Sequence, residues 1–105
     1  MKIILNPTHD TYTTLEVENK IFKFLHSDRD SGVGLIRQLK KINISHEDQI
    51  YVIIGPGNFT AVRTVCLIAN TIKFLSKCKL FGKTKDASEF AESEILEPFY
   101  ASEAY

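Results

Sequence analysis

The chain is poor in what a secreted scaffold or a membrane protein requires. It holds two cysteines, Cys66 and Cys78, in 105 residues, which excludes the disulfide framework of small secreted domains and makes the cytoplasm the expected compartment. No apolar run approaches a membrane span. The opening Met1-Lys2-Ile3-Ile4-Leu5 meets Asn6-Pro7 and is too brief for the core of a signal peptide. Neither sign of charge is in excess, with thirteen lysines and arginines against thirteen aspartates and glutamates, so no whole-chain field steers it toward nucleic acid. Catalytic patterns are missing too: no Ser/His/Asp or His-x-x-x-His arrangement supports a peptidase. Cys66 and Cys78, twelve residues apart on or near one predicted helix, would stand roughly 18 Å from each other, too far for a redox or metal pair. The length suits one domain with a single modest core.

What is present centres on Tyr51-Val52-Ile53-Ile54-Gly55-Pro56-Gly57-Asn58-Phe59-Thr60-Ala61-Val62-Arg63, which reads as strand, tight turn and helix. Tyr51 to Ile54 are β-branched or aromatic without alternation, the pattern of a mid-sheet strand covered on both faces. Before proline, Gly55 is expected to be extended, Pro56 fixes its own φ, and Gly57 takes the positive φ that reverses the chain. Asn58 or Thr60 caps the helix. The free N–H groups of its first turn, beside glycines without side chains, suit an anion. The same residues equally suit a plain βα turn, because a Gly-x-Gly pair lacks the Lys-Ser/Thr of a P-loop and the full dinucleotide fingerprint.

Gly55-Pro56-Gly57-Asn58-Phe59-Thr60-Ala61-Val62-Arg63 resembles the Gly-Pro-Gly-Ser-Phe-Thr-Gly-Leu/Val-Arg signature of the bacterial TsaB (YeaZ) family. Asn58 stands for the usual Ser, Ala61 for Gly, and Thr64-Val65 for Ile-Gly. The resemblance implies an α/β, actin-like (ribonuclease-H-like, ASKHA) fold. It implies a non-catalytic subunit that pairs with the TsaD-type protein, with a TsaE-type ATPase in the same complex, to make threonylcarbamoyladenosine next to the anticodon of tRNA. Members usually have two lobes, so residues 1–83 are expected to form the N-terminal lobe, and 84–105 a helix plus a remnant of the link to a second lobe. The family's first hairpin turn carries an aspartate-containing phosphate loop, where this chain has Asn6-Pro7-Thr8. Asparagine lacks the carboxylate that holds a hard cation, and proline removes an N–H. Nucleotide hydrolysis is therefore not expected, nor any cofactor, metal or direct tRNA contact.

In chain order, Lys2–Leu5, Tyr12–Val17 and Ile21–Leu25 read as an antiparallel meander with a turn at Asn19-Lys20. Leu35, Ile36, Leu39 and Ile42 share one face of an amphipathic helix weakened at its start by Gly32 and Gly34. His26 and His46 read as loop histidines. The second helix runs from Phe59 to about Lys77. Its Ala61, Val65, Ile68, Ile72 and Leu75 are expected on the sheet, and Arg63, Asn70, Lys73 and Lys77 in a polar stripe. Leu67, Thr71, Phe74 and Cys78 flank that stripe, covered either by the neighbouring helix or by a partner. With Leu35 and Leu39 they make the expected partner interface, and a two-fold homodimer is expected when the partner is absent. Lys79-Leu80-Phe81 completes a sheet of about five strands with two main helices. Asp86 to Glu92 reads as a capped acidic helix start, and Phe99 to Tyr105 loosely echoes the strand opening the family's second lobe. The alternative function is a small actin-like ATP-binding or phosphoryl-transfer enzyme built on the Gly55-Pro56-Gly57 turn.

Overall fold

A computed structural model describes residues 1–99. The chain opens on β1 (Lys2–Asn6), β2 (Tyr12–Val17) and β3 (Lys20–Leu25). β1–β2 and β2–β3 pair antiparallel. The second turn is Glu18-Asn19 rather than Asn19-Lys20: both residues have positive φ, 49° and 67°, the two-residue hairpin geometry whose twist matches that of the strands. Then come α1 (Ser31–Ile42), β4 (Gln49–Ile53), α2 (Phe59–Ser76) and β5 (Lys79–Lys83). β4 lies parallel between β1 and β5. With β6 (Ala91–Glu92) the sheet has six strands in the order β3-β2-β1-β4-β5-β6.

β6 replaces an expected helix. No helix forms among the described residues after β5. Glu92 instead pairs with Phe81 and Ala91 with Gly82, and the Ser93 N–H donates to the Leu80 carbonyl at 2.8 Å. An acidic sequence with weak helical preference is overridden here because the outer edge of β5 would otherwise be unpaired. The expected echo of a second-lobe strand, Phe99 to Tyr105, lies beyond Phe99 outside the described residues.

Strand alternation decides where the core sits. Ile3, Leu5, Leu15, Val17, Ile50, Val52 and Leu80 point to one face of the sheet and are buried, together with Leu35 and Leu39 of α1 and Val62, Val65, Cys66 and Ala69 of α2. The two helices thus form a single layer on one side. β4 is not covered by helices on both faces: its burial alternates, and Tyr51 and Ile53 on the other side are only partly buried. Among the described residues α2 is the one helix long and apolar enough to cross a membrane, with mean hydropathy 1.2. Its apolar content has a nearer use, since its Val62, Val65, Cys66 and Ala69 side packs on the sheet.

The packing face of α2 is rotated from the expected one. Leu75, expected on the sheet, is 73% exposed, whereas Val62 and Cys66 are buried. An apolar arc wide enough to offer two packing faces leaves the choice to tertiary fit.

Candidate functional site

Two places carry the expected site residues: the turn after β4 and the outer surface of the helix layer.

The turn is built by close backbone approach. Gly55, not Gly57, holds the positive φ, at +123°, and the peptide joining it to Pro56 is cis. Gly55 is therefore not extended. A Cβ on it would run into the Phe99 carbonyl. That carbonyl is held in place because the Phe99 N–H donates to the Ile54 carbonyl at 2.8 Å. The Gly55 carbonyl in turn accepts the Lys85 N–H at 2.7 Å. Gly57 is required for proximity instead: a Cβ there would lie 2.6 Å from the Thr8 Cα. Thr8 is fixed by Asn6, whose Oδ1 accepts both its N–H at 3.1 Å and its hydroxyl at 2.6 Å. The Asn6 amide nitrogen donates to His9 Nε2 at 3.4 Å. The turn after β1 and the turn after β4 thus lock together, with Thr8 and Pro7 buried between them.

Asn58, rather than Thr60, caps α2, its Oδ1 accepting the Ala61 N–H at 2.9 Å. Phe59 and Thr60 are exposed, and the Arg63 guanidinium lies 5.3 Å over the Phe59 ring. Beside the cap a cleft of about 410 Å³ opens between the starts of α1 and α2, with Thr13, His26, Ser31, Thr60 and Thr64 in its wall. His26 is tied rather than free. Its Nδ1–H donates to the Asp10 carbonyl at 3.2 Å, which leaves Nε2 to accept the Thr13 hydroxyl at 2.9 Å.

On the helix layer the expected interface residues divide. Leu67 and Phe74 are exposed, 67% and 73%, and so is Thr71, whose hydroxyl donates to the Leu67 carbonyl at 2.8 Å. Leu35, Leu39 and Cys78 are buried in the core and cannot belong to a surface. Leu35 and Leu39 point to the sheet because they are the i, i+4 pair on the inner line of α1. Cys78 has left the helix altogether: α2 ends at Ser76, Lys77 takes a left-handed φ of 64°, and Cys78 leads into β5.

The fold also brings to the surface two residues that the sequence pattern places inward. Ile36 and Leu75 are exposed, and with Leu67, Ile44, Ile68 and Ile72 they line a groove of about 510 Å³ between α1 and α2. Their signal in the sequence is that of apolar residues next to, rather than on, the inward i, i+4 lines. The polar stripe of α2 also has an unforeseen role. Asn70 bonds the backbone of Leu96 twice, accepting its N–H at 2.8 Å and donating to its carbonyl at 2.9 Å. Lys73 donates to the Cys78 carbonyl at 3.2 Å and lies 3.7 Å from Glu94. The stripe anchors the segment after β6. Cys66 and Cys78 are buried free thiols, and burial pushes the Cys66 thiol up to about 11, away from the reactive thiolate. Among the described residues no cluster of three or more His, Cys, Asp or Glu side chains is arranged to hold a metal ion.

Neither a protein-family model nor a curated protein sequence matches the chain. Its fold does match solved structures. YeaZ from Pseudomonas aeruginosa superposes with a TM-score of 0.54 at 18% identity, over 79% of this chain and 43% of that one. An uncharacterised protein described as similar to peptidase YeaZ from Pseudomonas aeruginosa superposes with a TM-score of 0.52 at 17% identity, over 79% of this chain and 42% of that one. The chain thus spans less than half the length of the structures it resembles. The mixed sheet with an opening meander and two helices is the fold expected of a single actin-like lobe, with six strands where about five were expected.

Proposed function

We propose that this chain is a non-catalytic, TsaB-like subunit of the machinery that makes threonylcarbamoyladenosine in tRNA, acting in the cytoplasm by docking a TsaD-type catalytic subunit on its helix layer. A TsaE-type ATPase belongs to the same assembly, and the chain pairs with itself when the partner is missing. The observation that carries the reading is the groove between α1 and α2, with Leu67, Phe74 and Leu75 exposed beside it in a fold shared with YeaZ. Such side chains on a small domain mark a surface that another helix covers. The Gly55-Pro56-Gly57-Asn58-Phe59-Thr60-Arg63 signature supports the partner surface indirectly, by fixing where α2 starts.

The alternative, an ATP-binding or phosphoryl-transfer enzyme at the Gly55 turn, has less behind it. Gly55 and Gly57 are used for contacts with Phe99 and Thr8, and Asn6 is engaged by Thr8. Calorimetry with ATP and magnesium is expected to show no heat of binding, and micromolar affinity would move the reading to that alternative. The direct test is co-purification with a co-expressed TsaD-type subunit. The wild-type chain should co-elute, while Leu67→Glu and Phe74→Glu should remain folded by circular dichroism and lose the partner. Retention of the partner by both variants would place the interface elsewhere.

A further inference from the structure

The face of the sheet opposite the helices carries another surface, of different chemistry. Strand register places Lys2, Ile4 and Asn6 of β1 on it, with Tyr12, Thr14 and Glu16 of β2 alongside. Ile21, Lys23 and Leu25 of β3 continue it on one side. Tyr51 of β4, Lys79, Phe81 and Lys83 of β5, and Glu92 of β6 continue it on the other. The chain is neutral as a whole, yet these positions hold four lysines, Lys2, Lys23, Lys79 and Lys83, against two glutamates, Glu16 and Glu92. Charge that cancels over the chain does not cancel here.

Aromatic rings are interleaved with the lysines in two groups. In one, Tyr51 and Phe81 stack at 4.5 Å and Phe90 meets Tyr51 edge-on at 5.0 Å. Lys2 Nζ lies 4.6 Å over Tyr51 and Lys83 Nζ 5.5 Å over Phe90. In the other, His9 stacks on Tyr12 at 4.4 Å, and Lys23 Nζ lies 4.8 Å over Tyr12. The groups stand on β2 and β4, two strands apart, and Tyr12 lies four residues along β2 from Glu16, which is level with Tyr51, so the two tyrosines are roughly 17 Å apart.

We propose that this sheet face binds a short segment of single-stranded RNA. A half-exposed sheet with aromatic rings at its centre and lysines around them is a stacking platform with an electrostatic rim. The Lys2 and Lys23 tips over their rings are held on flexible stems and yield the ring to a base, and the displaced ammonium then meets the phosphate beside that base; Lys83, whose Nζ also donates to the Ala87 carbonyl at 2.8 Å, stays at the rim. Thr14, on β2 beside Lys23 and two residues from Tyr12, offers a hydroxyl to a ribose 2′-hydroxyl, which favours RNA over DNA. A single strand fits where a duplex does not, because the rings must reach unpaired base faces. RNA on this face leaves the helix layer free for a protein partner, since that layer lies on the other side of the sheet.

Fluorescence anisotropy of a labelled oligouridine of about twelve nucleotides tests it on the full chain. Saturable binding is expected, weakening roughly 50-fold between about 50 and about 200 mM salt if four lysines each meet a phosphate. Lys23→Glu combined with Lys79→Glu should weaken binding at least about tenfold, and Tyr12→Leu at least about fivefold, with unchanged circular dichroism. Lys40→Glu with Lys41→Glu, on α1, should leave it within about twofold. The inference is overturned by absence of saturable binding, by a flat salt dependence, by equal loss in the α1 variant, or by tighter binding of oligothymidine DNA. It is also overturned if Lys23→Glu with Lys79→Glu releases a protein partner while RNA does not bind.

Discussion

At the turn after β4 the glycines face inward, one against the Phe99 carbonyl and one against Thr8, whereas along the outer side of α2 the large apolar residues face water. The turn has the sequence of a ligand loop and is occupied by the chain itself. The helix has the sequence of an ordinary packed element, and its outer flank has been left open. Glycine pairs and apolar stripes are ambiguous for the same reason: each permits a close approach without saying what approaches. In this molecule another loop approaches the turn, and nothing within the described residues covers the outer flank of α2.

The sharpest way to break that comparison is to truncate an inward and an outward residue of the same helix. Leu39→Ala should cost about 2–5 kcal/mol by opening a cavity under α1. Ile36→Ala, three residues away and 43% exposed, should cost less than about 0.5 kcal/mol. Urea unfolding of both variants measures the contrast, and equal losses would mean that α1 has no free side.

Gly57→Ala should destabilise by about 1–3 kcal/mol, because the added methyl meets backbone and Thr8 Cβ rather than the end of a movable side chain. Differential scanning calorimetry reads this as a fall of several degrees in Tm. An unchanged Tm would show that the two turns are not locked together. Asn70→Ala removes a pair of hydrogen bonds to Leu96 and should cost about 1 kcal/mol or somewhat more. Its specific sign is faster amide exchange at Leu96, Ser93 and Phe99, with the exchange of β1 unchanged.

A subtler effect concerns pH. The Ser45 N–H donates to Asp48 Oδ2 at 2.8 Å, and the Met1 ammonium lies 3.2 Å from Oδ1. The Ser45 backbone hydrogen bond first, and the ammonium with it, lower the Asp48 carboxyl pKa against the opposing effect of burial. A lowered folded-state pKa contributes stability that is fully present above the unfolded value of about 3.9 and is lost as pH falls through the folded value. Stability of the wild type should therefore drop more steeply below about pH 4 than that of Asp48→Asn; parallel curves would mean that Asp48 does not contribute. The smallest effect is expected from Phe74→Glu, less than about 0.5 kcal/mol in stability. A large loss would make Phe74 part of the core and close the comparison in favour of an ordinary packed helix.

Much of this was legible in the sequence, and the reasons are local. The β-branched and aromatic run Tyr51 to Ile54, a cap at Asn58 or Thr60 and the break at Gly55-Pro56-Gly57 place strand, turn and helix because side-chain shape, capping chemistry and proline geometry act over a few residues. Which glycine takes the positive φ was not legible, since both positions permit it and the choice falls to whichever neighbour comes close, Phe99 for Gly55 and Thr8 for Gly57. Nor could the sequence separate Leu35 and Leu39 from Ile36, because adjacent apolar residues on a wide arc are equally good candidates until the sheet takes one line of them. The acidic stretch before Glu92 had helical chemistry of its own, and only the open edge of β5 made it a strand. By itself the sequence determined the order of elements as far as β5 and the break between β4 and α2, because these follow from local geometry and side-chain period. The tertiary structure alone decided which side of α2 is core, which glycine takes the positive φ, which faces of β4 are covered and which sheet face gathers the lysines, because each of those depends on residues that are distant along the chain and adjacent only once it has folded.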